Sequence, residues 1–164
     1  MEIADRRLAR IVKKAQDLPG QELFAYCDEN DEVHDIKSQD VNDYLREITG
    51  EDFTAKDFRT WAGTVLAAVA LNAVEPFETK KQAKANVKTA INAVSKILGN
   101  TPAVCRKCYV HPAVLETYLS GNMIEGLKKK TEQALANNLP DLQSVEAAVM
   151  TFLQERLATA KAAA

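Results

Sequence analysis

No window of the sequence approaches the roughly 18 continuous apolar residues that a membrane span requires, and the first twenty residues are charged where a secretory signal would be apolar. The chain is therefore expected in the cytoplasm, away from membranes. Cysteine is scarce. Three residues, an odd number, with Cys105 and Cys108 only three positions apart, exclude a disulfide framework and fit a reducing compartment. Strand-forming stretches are almost absent. Only residues 23–27 and 33–36 qualify; they flank the acidic turn Asp28-Glu29-Asn30-Asp31 and read as one short hairpin or an extended connection. Internal repeats and low-complexity linkers are also missing. What remains is 164 residues with 46% hydrophobic and 27% charged positions, the composition of one globular domain, 1–164, with a single core.

Helical periodicity fills most of the chain. Residues 4–17 place Leu8, Ile11, Val12 and Ala15 on one stripe, and Pro19-Gly20 ends the run. Ser38 is expected to cap a helix carrying Val41, Tyr44, Leu45 and Ile48, with Gly50 at its C-terminal turn. Thr54, with Asp57 three residues on, matches a capping box with a shorter acid and opens an Ala-rich helix to about residue 73. Phe58, Trp61, Val65, Leu66 and Val69 would make that helix central. Residues 79–98 form a long amphipathic helix with Val87, Ala90, Ile91, Val94 and Ile97 facing the core. After Pro112 a helix runs through Val114, Leu115 and Tyr118 to Gly121. A looser segment leads to Pro140, and Asp141 caps a last helix bearing Val145, Ala148, Val149, Phe152 and Leu157. Residues 160–164 have nothing to bury and should fray. The expected fold class is mainly α, a multi-helix domain of seven or eight helices with at most one small β-hairpin.

The net charge of −2 conceals a strong division. Residues 1–53 hold 7 Lys/Arg against 14 Asp/Glu, residues 54–130 hold 12 against 5, and residues 131–164 hold 2 against 4. The field over a surface patch is set by charges within about 8–10 Å, so an acidic average does not exclude a polyanionic partner for the basic middle. Lys80, Lys81, Lys84 and Lys88 equally suit a solvated helix face.

One stretch combines helix signals with reactive side chains: Asn100-Thr101-Pro102-Ala103-Val104-Cys105-Arg106-Lys107-Cys108-Tyr109-Val110-His111-Pro112. Gly99 and Asn100 close the preceding helix, while Thr101 and Pro102 supply the N-cap and first turn of a brief new one. Helical spacing puts Cys105, Arg106 and Tyr109 on one face, and a phenol beside a guanidinium suits an anionic substrate. Upstream, Lys56 and Arg59 sit three apart in the first two turns of their helix, near the positive end of its dipole, where a phosphate is favoured.

These two stretches resemble segments of the type IB DNA topoisomerases, specifically the small poxvirus-like bacterial enzymes. Tyr109 falls at the position of the family's nucleophile, and Thr54-Ala55-Lys56-Asp57-Phe58-Arg59-Thr60-Trp61-Ala62-Gly63 resembles its Lys-x-x-Arg-Thr segment. The likeness runs from about residue 5 to about residue 153 and implies the C-terminal catalytic domain of that family, of the fold it shares with tyrosine recombinases. It further implies relaxation of supercoiled double-stranded DNA in the nucleoid. Tyr109 would cleave one strand to leave a 3′-phosphotyrosyl link, and the freed 5′-hydroxyl would swivel and reseal. No metal or nucleotide cofactor and no protein partner would be needed, and a monomer would suffice. A phenol that titrates near pH 10 is a poor nucleophile at neutrality, so positioned cations must stabilise the transition state. Arg59 offers a planar, permanently charged fork for non-bridging phosphate oxygens. Asn100 stands where some members carry a histidine and can donate through its amide. Lys56 corresponds to a lysine near the DNA backbone, and Arg106 and Lys107 are further candidate DNA contacts.

Other readings compete. A tyrosine recombinase shares the nucleophile and arginine but usually has histidines where this chain has Lys56 and Asn100. A non-catalytic DNA-binding domain would use the same basic surface. Cys105-x-x-Cys108 with His111 hints at a metal or redox module, but a structural zinc site needs four ligands, and only Cys27 or His34 could add to it. The family also uses an upstream arginine and a general-acid lysine on a β-hairpin; neither has a counterpart here. The chain therefore reads as a fragment lacking the N-terminal domain and the catalytic hairpin, expected to relax supercoils poorly while binding DNA weakly through residues 56–130.

Overall fold

The computed structural model describes residues 5–20, 22–74, 77–121 and 144–162. The chain divides into two compact units, residues 1–57 and 58–164.

In the first unit, α1 (Arg6–Gln16) is opened by Asp5, whose carboxylate accepts the N–H groups of Arg7 at 2.7 Å and Leu8 at 3.1 Å. The predicted hairpin is present: β1 (Ala25–Cys27) pairs antiparallel with β2 (Val33–Asp35), Tyr26 opposite His34. Asp28 organises its turn by accepting from the backbones of Asn30 and Glu32, both at 2.9 Å, and from His34 Nε2 at 3.0 Å. These contacts, the Glu32 N–H foremost, hold its carboxyl below the ordinary range. Helix α2 (Ser38–Thr49) is capped by Lys37 rather than by Ser38, because Asp40 reaches back to the Lys37 N–H at 2.6 Å and draws Ser38 into the first turn. Gly50 ends it with φ at 69°, in the left-handed region glycine tolerates. Arg46 ties Asp43 to Asp52, and the Asn42 side chain accepts the Ala55 N–H at 3.0 Å. No described residue of this unit is buried. The stripes expected to face a core are therefore not covered: Leu8 is 48% exposed, Ile11 61%, Tyr44 60% and Ile48 58%. Two short helices and two three-residue strands are too little structure to enclose them.

The second unit holds the hydrophobic core. Helix α3 (Ala55–Asn72) begins in the first unit and continues through the second. Its start is half a capping box: Asp57 accepts both the N–H and the hydroxyl of Thr54, while the Asp57 N–H goes to the Thr54 carbonyl. The buried face of α3 corrects the expectation of large side chains. Gly63, Thr64, Ala67, Ala68 and Leu71 are buried, Trp61, Val65 and Leu66 pack at the margin, and Phe58 and Val69 are exposed. Small residues let neighbouring backbones approach α3 closely, so the inward face is not the bulkiest one.

Helix α4 (Lys80–Leu98) is capped by Thr79 and Gln82 in a reciprocal box and buries Ala83, Val87, Ala90, Ile91, Val94 and Ser95. Ile97, expected inside, is 48% exposed, because it lies in the last turn beyond the packed stripe. Next come α5 (Pro102–Val104), a π-helical turn (Cys105–Tyr109), and α6 (Pro112–Leu119). Helix α6 buries Val114, Leu115 and Tyr118, and the Tyr118 hydroxyl accepts from Asn86 at 2.8 Å. The last described helix, α7 (Ser144–Ala162), buries Ala148, Val149 and Phe152, whereas Leu157 is 55% exposed on the part that runs past the core. It extends to Ala162, into the tail for which fraying was expected. The Asp141 cap and the loose segment to Pro140 lie outside the described residues. The fold is mainly α, as the periodicity implies, with one two-stranded sheet among the described residues.

Candidate active site

Tyr109 owes its position to the chain on either side. Gly99, with φ at 69°, closes α4, and the N–H groups of Gly99 and Asn100 both return to the Ser95 carbonyl. The Thr101 hydroxyl accepts the Val104 N–H at 3.3 Å and Pro102 starts α5. The coil then widens into the π turn, a feature that recurs at functional sites. Widening undoes the predicted shared face. Cys105 is fully buried in the core, where burial pushes its thiol up, while Arg106, Lys107 and Cys108 are exposed and Tyr109 is half-buried. Val110 leaves in an extended conformation and is buried; His111 caps α6 by accepting the Ala113 N–H on Nδ1 at 3.2 Å.

Arg59, from the second turn of α3, meets Tyr109. Its guanidinium carbon lies over the phenol ring, 5.2 Å from the centroid, within cation–π range. The same guanidinium donates from Nη2 to the Leu98 carbonyl at 2.6 Å, and the half-buried Asn100 amide reaches that carbonyl at 3.4 Å. The last carbonyl of α4 thus gathers Arg59 and Asn100 beside Tyr109. The Asn100 contact is local, two residues back along the chain, and suits a helix-end asparagine as well as a donor beside Tyr109.

Lys56 is exposed on the first turn of α3 and belongs to the other compact unit, whereas Arg106 and Lys107 share the exposed side of the π turn. Beside Lys56, the Thr54 hydroxyl, followed by the Thr54 N–H, keeps Asp57 ionised below the ordinary carboxyl range. In the hairpin, potential ligand atoms of Asp28, Glu32 and His34 lie within 4.8 Å of one another, yet Asp28 is already committed to the turn and to His34.

The geometry also enlists residues whose roles the motif reading left unassigned. Thr60 Oγ1 points to the Cys108 carbonyl at 3.4 Å, Thr64 Oγ1 accepts the His111 N–H at 3.1 Å, and Gly63 lies directly beneath the Tyr109 carbonyl. Their signal was a glycine inside an apolar helix, with hydroxyls at helical spacing around it.

The family model described as eukaryotic DNA topoisomerase I, catalytic core, matches residues 1–139. The chain belongs to this type IB DNA topoisomerase family. Among curated proteins it is similar to DNA topoisomerase 1B of Acanthamoeba polyphaga mimivirus, 32% identical over 114 residues, which is 65% of this chain. The match spans 34% of that relative, so the chain corresponds to about a third of its length. Tyr109, Arg59 and Asn100 all fall within the stretch matched by the family model.

Proposed function

We propose that this chain carries the strand-cleaving part of a type IB topoisomerase, with Tyr109 as nucleophile toward a DNA phosphodiester. The observation that carries the reading is the meeting of Arg59 and Tyr109, from segments 50 residues apart, over one helix-terminal carbonyl. In the reaction the phenol loses its proton and its oxygen bonds to phosphorus while the bond to the 5′-oxygen breaks. The departing oxygen takes up a proton. One phosphodiester is exchanged for another, so resealing is the same exchange in reverse and draws on no outside energy.

Arg59 exchanges the Leu98 carbonyl for non-bridging phosphate oxygens, where two parallel charge-assisted hydrogen bonds match the charge developing at phosphorus. Asn100, whose amide reaches the same carbonyl, adds a neutral donor. Arg106 and Lys107, exposed on the turn that bears the nucleophile, hold the scissile strand, and Lys56 contacts the backbone farther along. The resemblance also implies an upstream arginine and a general-acid lysine, roles for which no residue of this chain is proposed. Assayed alone, it should therefore cleave slowly, since one general acid contributes about 10²–10⁴-fold.

The test is covalent trapping. A duplex whose cleavage releases a short 3′ segment ending in the 5′-hydroxyl accumulates the adduct at Tyr109, and Tyr109→Phe should abolish it; an undiminished adduct in that variant would overturn the assignment.

A further inference from the structure

Three residues of α3 contact the segment bearing Tyr109 through its backbone. Thr60 donates toward the Cys108 carbonyl at 3.4 Å, Thr64 accepts the His111 N–H at 3.1 Å, and Gly63 lies between them under the Tyr109 carbonyl. Thr64 is itself fixed, 2% exposed and donating to the Thr60 carbonyl at 2.7 Å. A Cβ on Gly63 would overlap the Tyr109 carbonyl oxygen and press on Leu98 Cδ1 at 3.1 Å. Leu98 is the residue whose carbonyl holds Arg59 and Asn100. The missing methyl therefore lets the backbone of Tyr109 lie against α3.

Gly63 has no conformational need to be glycine, since only Gly20, Gly50, Gly99 and Gly121 among the described glycines have positive φ. On an open helix face alanine would be the better helix former. The glycine is explained by the close approach, and the two flanking threonines fix the register of the backbone that makes it.

We propose that Thr60, Gly63 and Thr64 are positioning residues for Tyr109, an inference that rests on the reading of Tyr109 as nucleophile. They touch no substrate. They set where the phenol stands relative to Arg59 by clamping Cys108, Tyr109 and His111, and a displacement on the order of 1 Å of a reacting group costs about 10²-fold in rate.

The experiment compares the full chain with Gly63→Ala, Thr64→Val and Thr64→Ser. Three readings are taken: adduct formation at saturating suicide duplex, affinity for that duplex, and ring-proton resonances of Tyr109 in tyrosine-labelled protein. Gly63→Ala should lower the adduct rate by about 10²-fold, leave affinity within about twofold and shift the Tyr109 resonances, because the ring moves relative to the guanidinium. Thr64→Val should do the same more weakly, and Thr64→Ser, which restores the acceptor for His111, should recover the rate and the resonances. Unchanged resonances and a wild-type rate in Gly63→Ala would overturn the proposal. If Gly63→Ala loses its helical circular dichroism, the Thr64→Val and Thr64→Ser pair decides instead, and equal behaviour of the two overturns it. Failure of the nucleophile assignment is a separate result. It would show as an adduct surviving Tyr109→Phe; where the unmodified chain forms too little adduct to time, the ring resonances of Gly63→Ala and of the Thr64→Val and Thr64→Ser pair decide whether Thr60, Gly63 and Thr64 set the position of Tyr109.

Discussion

At the scale of single residues, Arg59 meets the Leu98 carbonyl and the Tyr109 ring among the described residues. Both are neutral, so Arg59 leaves only neutral partners to reach a phosphate. Arg59→Ala should lower the adduct rate by about 10³-fold or more, within the range found for arginines acting on phosphoryl transition states, while DNA affinity changes little. Equal losses in rate and affinity would recast Arg59 as a binding contact. Arg59→Lys should recover only part of the rate, because a point charge cannot reproduce two-pronged donation. Tyr118 makes a structural contrast to Tyr109. It is 1% exposed, with its hydroxyl accepting from Asn86, and Tyr118→Phe should cost about 1–3 kcal/mol in denaturant unfolding by leaving the Asn86 amide without that partner.

At the scale of elements, the inward face of α3 is made of small residues, so it tolerates added volume poorly. Ala68→Leu, at a position with no exposure, should destabilise by about 1–3 kcal/mol in chemical denaturation through overpacking. The hairpin depends on ionisation instead. Asp28 is held below its ordinary pKa by the backbone of Glu32, by His34 and by the backbone of Asn30. A carboxylate with a depressed folded-state pKa stabilises fully above the unfolded value, near about 3.9, and that contribution is lost as pH falls through the lower folded value. Protection of the Asn30 and Glu32 amides, taken relative to their intrinsic exchange, should therefore hold at neutral pH and fall selectively once the pH drops below about 3.9. In Asp28→Asn the acid sensitivity should disappear.

At the scale of the whole molecule, charge rather than composition should govern DNA association. The chain carries a net −2, but 12 of its 21 Lys/Arg lie in residues 54–130. Binding to a plain duplex should weaken steeply with salt, since each neutralised phosphate contributes about −0.9 to the slope of log affinity against log salt. Arg106→Ala with Lys107→Ala should flatten that slope by about two if both contact phosphates, measured by fluorescence anisotropy across salt concentrations. A slope unchanged by the double substitution would remove both residues from the interface.

Helix positions were legible from the residues because capping and periodicity are local. Gly50, Gly99 and Thr101 close or open helices where their chemistry dictates, although the cap expected at Ser38 falls to Lys37, and the hairpin lies where two short apolar runs flank an acidic turn. Which faces are buried was only partly legible. The amphipathic stripe of α4 is buried up to Ser95, but α1 and α2 carry equally regular stripes that stay exposed, since periodicity names a face without supplying anything to cover it. The buried face of α3 could not be ranked by bulk, because closeness of approach selected Gly63, Thr64, Ala67 and Ala68 over Phe58 and Val69. The sequence by itself determined that a tyrosine, an arginine and an asparagine would stand near helix ends. Only the tertiary structure decided that they meet, because the carbonyl of Leu98 and the bare backbone of Gly63 bring them together, and backbone groups carry no side-chain signature in the sequence.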